Sequence, residues 1–292
     1  MRIFDPHIHM TSRTTDDYEA MYASGVRCVV EPAFWLGQPR TSVASFTDYF
    51  DALLGWERFR ASQFGIRHHA TIALNPKEAN DPRCTGVLDE MPRYLGKDGV
   101  VAVGEVGYDS MTPAEDDAFA RQLQMAREHA LPVLVHTPHR DKRVGTQRTL
   151  DVVAESGVPA EHVVVDHLNE TTVALVKDAG AWMGFSIYPD TKMDEARMVA
   201  ILRDVGTEKV LVNSAADWGR SDPLKTRSTG DAMLAAGFTA ADVDRVLWQN
   251  PVDFYGQSGN LLLEPVPGFV EEDGPAAGVT FEGSSVLRGV RA

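Results

Sequence analysis

The chain has 292 residues, 43% of them hydrophobic, enough to bury a complete core, and its formal charge of −14 sets it against duplex nucleic acid and anionic membranes as broad electrostatic partners. Two cysteines, Cys28 in an apolar run and Cys84 in a polar stretch, make no paired framework, which excludes a disulfide scaffold and fits a reducing compartment. No stretch is long and apolar enough to span a bilayer and no apolar leader precedes Arg2-Ile3-Phe4, so the expectation is a cytoplasmic protein with no membrane contact.

Arg2 to His9 reads as the first strand and ends in Asp5-Pro6-His7-Ile8-His9. Side chains two apart on a strand share a face, so His7 and His9 can grip one ion while Ile8 points away, and Asp5 falls on the histidine side as a supporting acceptor or a ligand. Arg27 to Ala33 is the second strand; Phe34, Trp35 and Leu36 follow it and offer aromatic surface. Val43 to Phe64 has helical spacing, and His68 to Leu74 is the third strand. Gly99 to Glu105 is the fourth, a buried run ending in a carboxylate flanked by Gly104 and Gly107. A carboxylate in such a place needs a cation, and its two oxygens can bridge a pair of ions.

Pro113 to His129 is helical, with Phe119, Leu123, Met125 and Ala126 on one face. The fifth strand, Pro132 to His136, runs into the basic segment His139-Arg140-Asp141-Lys142-Arg143, ahead of a helix from Thr146 to Ser156. His162 to His167 is the sixth strand and Trp182 to Tyr188 the seventh, followed by a helix over Met193 to Val205. Lys209 to Asn213 is the eighth; Asp217 and a second basic group containing Arg220 come after it. Thr239 to Tyr255 reads as a closing helix with Thr239 as N-cap, and 257–292, rich in Gly, Pro and Glu, as an extended tail that packs partly on the barrel and offers a contact for a homo-oligomer.

Eight strands alternating with helices predict an α/β fold, a (β/α)8 TIM-like barrel over residues 1–256 with a C-terminal extension at 257–292. The position after the first strand, where an open doubly wound sheet carries a glycine-rich phosphate loop, holds His7 and His9 instead. In a barrel the strand ends converge, so His7, His9, Glu105, His136, His167 and Asp217 become one candidate site for one or two divalent ions. Zinc suits four imidazoles; manganese or magnesium suits the carboxylates. Asp217 is the candidate proton acceptor for an activated water. Trp35, His139, Arg140, Arg143 and Arg220 are candidate substrate contacts, the basic ones favouring an anionic group.

Asp5-x-His7-x-His9, Gly104-Glu105-x-Gly107-x-Asp109, His136, His167 and Asp217 stand in the order and at the spacing of the TatD family of metal-dependent hydrolases, within the amidohydrolase superfamily, which the chain resembles over roughly residues 1 to 256. The resemblance implies a TIM-like barrel, divalent metals, and a family containing deoxyribonucleases. TatD nucleases usually close the eighth strand with Glu-Thr-Asp; Ser214-Ala215-Ala216-Asp217-Trp218 departs from this, as does the tail, and the chain resembles in this respect the TatD-related EboC proteins of biosynthetic or transport gene clusters. The leading expectation is hydrolysis of a small organic ester, lactone, amide or phosphoester. A TatD-type exodeoxyribonuclease acting on single-stranded DNA and a non-catalytic metal-binding scaffold are the alternatives.

Overall fold

The computed structural model describes residues 1–267 apart from Gln38, together with Phe269. Eight parallel strands pair in sequence order: β1 (Ile3–Asp5), β2 (Val26–Pro32), β3 (Arg67–Ile72), β4 (Val100–Gly107), β5 (Val133–His136), β6 (Val163–Val165), β7 (Trp182–Ser186) and β8 (Val210–Asn213). Just past the ends of β8 and β1, Ala215 N–H donates to the His7 carbonyl and His9 N–H to that of Ala216, each at 2.9 Å, which closes the seam. Helices separate the strands, so the expected (β/α)8 barrel is the fold. Val, Ile and Leu dominate strands buried on both faces, as parallel strands under a helical ring must be.

Local chemistry sets the helix starts. Thr112 and Glu115 form a capping box, with Pro113 at the first position of the helix Pro113–Glu128. Thr239 caps Ala240–Asp244 in the same way through Asp242. Two helices expected to run without a break each contain a wider π turn: Ala52–Glu57 between Val43–Asp51 and Arg58–Ser62, and Arg245–Gln249 between Ala240–Asp244 and Asn250–Tyr255. In the second, Pro251 has no N–H to return to the preceding turn, and that defect displaces the hydrogen-bond ladder.

The barrel interior divides into a polar mouth at the strand C-termini and an apolar floor. Phe4, Cys28, Val30, Leu134, Val164 and Leu211 meet Trp248, Phe254 and Tyr255 from the closing helix. Tyr255 lies fully buried, stacks on Phe4 at 5.9 Å, and donates its hydroxyl to the Pro6 carbonyl at 2.7 Å. Beyond it the chain runs under the barrel: Asn260 donates to the Val100 carbonyl at 3.1 Å and Leu262 N–H to His69 Nε2 at 3.0 Å, while Leu261 and Leu263 pack on the floor. The second apolar run of the tail, Val279-Thr280-Phe281, and any oligomer contact there lie outside the described residues. Among the described residues no helix is long and apolar enough to cross a membrane.

Burial, with the neighbouring His68 charge, pushes His69 down to about 3. Folding thus favours the neutral ring, which the unfolded chain protonates near pH 6.5. The stability this provides is complete above about pH 6.5 and is lost toward pH 3, at up to about 1.4 kcal/mol per pH unit. A His69→Gln variant, which keeps an acceptor for Leu262 N–H, is expected to flatten this part of the profile in urea unfolding of metal-free protein. An unchanged slope between pH 6 and 4 would remove His69 from the acid response.

Candidate metal centre

The strand ends converge on a buried cluster. His7 and His9, after β1, bring their Nε2 atoms to 3.2 Å from each other. Glu105, from β4, puts Oε1 at 3.4 Å from His7 Nε2, 3.3 Å from His167 Nε2 and 3.5 Å from His136 Nδ1. One carboxylate oxygen therefore stands at the centre of three imidazoles. Glu105 reaches it from a bulge, the extra residue between Gly104 paired to Leu134 and Val106 paired to Val135. The flanking glycines are forced by close approach: a Cβ at Gly104 would lie 2.6 Å from that of Leu134, and Gly107 has φ +114° with the His136 carbonyl 2.5 Å from where its Cβ would be.

Three overlapping groups of donor atoms lie within 4.8 Å: His7, His9 and Glu105; Glu105, His136 and His167; and His7, Asp166 and His167. Around them stands a set of orienting hydrogen bonds. Asp166 Oδ2 meets His7 Nδ1 at 2.6 Å, and both its oxygens accept from the Asn213 amide, at 3.1 and 3.0 Å. Ser186 Oγ meets His167 Nδ1 at 2.7 Å, and Asn75 donates to Glu105 Oε2 at 3.1 Å. Asp5 accepts the backbone N–H groups of His7 and Ser214, tying β1 to β8, and burial pushes it up to about 7.

The donor set fits a divalent cation. Buried imidazole nitrogens are ordinarily paired, yet His9 Nδ1 and both nitrogens of His136 are buried with no hydrogen-bond partner. Burial opposes charge on Glu105, but the surrounding imidazoles hold it well below the usual carboxylate range. Burial pushes His9 and His167 well down, which leaves their rings neutral and their lone pairs free for a cation.

Asp217 falls in none of the three groups. It lines the same pocket, and its Oδ1 accepts from the Tyr188 hydroxyl at 3.0 Å and from Gly219 N–H at 2.7 Å, while Arg13 donates to its carbonyl. Trp35 and His139 also line the pocket. Phe34 stacks on His9 with ring centres 3.9 Å apart, and Trp35 meets Trp218 edge to face at 6.1 Å. Arg140 and Arg220 are exposed and do not line it; Arg143 is exposed too and donates to the Thr171 carbonyl. Tyr108 is core, bonded to Asp116, and Asp109 pairs with Lys77 at 2.7 Å.

The cations that do reach the mouth are lysines. Lys192 contacts His167 Nδ1 at 3.1 Å and lines the pocket together with Lys77. Sequence pattern carries little signal for Lys192, which sits between β7 and the next helix. Asp166 is different. It stands beside His167, and strand alternation would send the two to opposite sides, but β6 ends at Val165 and His167 turns back at φ 61°, its N–H bonded to Asp166 Oδ1 at 2.7 Å.

Residues 4–256 match the family described as TatD related DNase. An uncharacterized metal-dependent hydrolase of Methanocaldococcus jannaschii is 25% identical over 257 residues, covering 87% of this chain and 99% of the relative. Among solved structures, a TatD-like protein from Archaeoglobus fulgidus is similar with a TM-score of 0.72 at 24% identity, over 86% of this chain and 99% of that one. The phosphotriesterase homology protein of Escherichia coli, complexed with phosphate in its active site, is similar with a TM-score of 0.63 at 17% identity, over 87% and 98%. The two structural likenesses speak to the barrel alone. The family match runs from the first strand through the closing helix and takes in every residue of the mouth cluster: the chain belongs to the TatD-related DNase family and is a metal-dependent hydrolase.

Proposed function

We propose that the protein hydrolyses a small organic ester, lactone, amide or phosphoester bearing an anionic group, using one or two divalent ions, zinc foremost, held by His7, His9, Glu105, His136 and His167. The observation that carries this reading is a single buried carboxylate oxygen within 3.5 Å of three imidazoles, beside histidine nitrogens with no partner. When bound, such an ion acidifies a water and polarises the carbonyl or phosphoryl oxygen of the substrate.

The chain's own residues do the rest. Asn75 keeps Glu105 Oε2 in place, and Asp166 and Ser186 hold the His7 and His167 rings so that their Nε2 atoms face the cluster. Asp217 is the proposed proton acceptor: Tyr188 and Gly219 engage its Oδ1, and none of the described hydrogen bonds uses its Oδ2. Lys192 adds positive charge at the depth of the reacting group.

Screening zinc- and manganese-loaded protein against lactones, carboxylic esters and phosphoesters tests the reading. An Asp217→Asn variant is expected to keep its metal and lose about 100-fold or more in kcat, the range for a general base. Full turnover in that variant with metal bound would remove Asp217 from proton transfer.

A further inference from the structure

Two cavities adjoin at Trp35 and Lys77, which line both. The inner one, holding the histidine cluster, is about 220 Å³; the outer one is about 530 Å³. Sites for small organic molecules usually enclose about 300 to 1,000 Å³. The inner cavity is smaller than that range, so it takes the reacting group and little else, and the bulk of a substrate has to lie across Trp35 in the outer one.

The two compartments differ in charge. Lys192 in the inner cavity has no carboxylate within 4 Å among the described residues; its polar contact is His167, and the charges of Asp166, Glu105 and Asp217 favour its protonated form against burial without pairing with it. The outer cavity's cations are already matched: Arg40 sends both Nη1 contacts to Glu78, at 2.7 and 2.8 Å, and Lys77 pairs with Asp109 at 2.7 Å. Between these pairs lie apolar surfaces of Trp35, Pro39 and Pro82. Trp35 itself is fixed, edge to face with Phe34 at 6.2 Å and with Trp218 at 6.1 Å.

We infer that the substrate is a two-part ester whose anionic reacting head enters the inner cavity and whose uncharged, ring-bearing remainder lies in the outer cavity against Trp35, Pro39 and Pro82. This rests on the hydrolase reading above and narrows it. A nucleic-acid strand would bring a phosphate charge with each further nucleotide into a compartment whose cations are taken, on a chain of net charge −14. An aromatic or other planar apolar group meets no such opposition and gains contact area on a rigid tryptophan.

The test is binding of phosphonates, which cannot be hydrolysed, to the zinc-loaded full chain by calorimetry. 1-Naphthylphosphonate is expected to bind at least about tenfold tighter than methylphosphonate, because the ring alone removes apolar surface from water. Pro82→Trp and, separately, Pro39→Trp put an indole into the lining of the outer cavity, and each is expected to bring that ratio below about threefold. Equal affinities in the wild type, a ratio that survives in both variants, or tighter binding of oligothymidylate than of the naphthyl probe would each overturn the inference. Failure of the hydrolase reading looks different: the binding ratios hold, and no ester of either kind is turned over.

Discussion

Glu105→Ala is expected to lower the metal content of the purified protein by at least one ion per chain, measured by plasma mass spectrometry, and to reduce the thermal stabilisation that added zinc gives the wild type. The carboxylate is the only anion common to both donor groups that pair it with His7 and His9 on one side and with His136 and His167 on the other. Removing it takes from both groups the negative charge that would offset the repulsion between two dications. At a zinc concentration 100 times Kd, binding stabilises the wild type by about 2.7 kcal/mol, which at about 2–4 °C per kcal/mol for a chain of this size is a rise of roughly 5–10 °C in Tm. Metal-free variant and metal-free wild type are melted alongside, so that the lost zinc response is read apart from the stability that goes with the Glu105 charge, which the imidazoles favour, and with its hydrogen bond from Asn75. A variant that retains the wild-type metal content and the full zinc-dependent rise would remove Glu105 from metal binding.

Asp166→Asn is expected to lower zinc affinity by about 10- to 100-fold, the range found when the partner of a metal-bound histidine is removed. An anionic Asp166 at 2.6 Å from His7 Nδ1 obliges that nitrogen to carry the proton, and Nε2, facing His9 and Glu105, then keeps its lone pair. The amide in the variant imposes no such choice, because it can present either an acceptor or a donor. Asn213→Ala should act in the same direction and more weakly: it removes the two hydrogen bonds that aim Asp166 but leaves its charge. Chelator competition gives the affinities, and circular dichroism checks that each variant is folded. Unchanged affinity in Asp166→Asn would mean that the His7 ring is held by packing alone.

The barrel was legible because every strand is a short run of β-branched and aliphatic residues and every long helix has an apolar face, so the alternation survives without tertiary information. The histidines and Glu105 were legible because each directly follows such a run, where parallel strands must converge. What alternation could not supply was the chain's course once a strand has ended. Asp166 and His167 both face the mouth because the backbone turns back at His167, and Asp217 stands apart from the donor groups because Ser214 to Ala216 carry the chain back over β1 before it arrives. Charged loop residues were the weakest reading. Lysines and arginines are long enough to swing to any nearby carbonyl or carboxylate, so Arg143 folds onto Thr171, and the lysines at 77 and 192 reach the pocket from segments with no pattern of their own.

Tyr255 has a bearing on when the site comes into being. Its hydroxyl, brought from the last helix through the barrel floor, holds the carbonyl of Pro6, the residue before His7, across 249 positions of chain. The backbone of His7 and His9 is also bonded to Ala215 and Ala216 beyond β8. The two histidines made early in the chain thus rest on contacts made near its end, and a growing chain carries them for most of its synthesis without the frame that arranges them. The arrangement that would hold a metal is therefore a property of the finished barrel and not of the nascent chain.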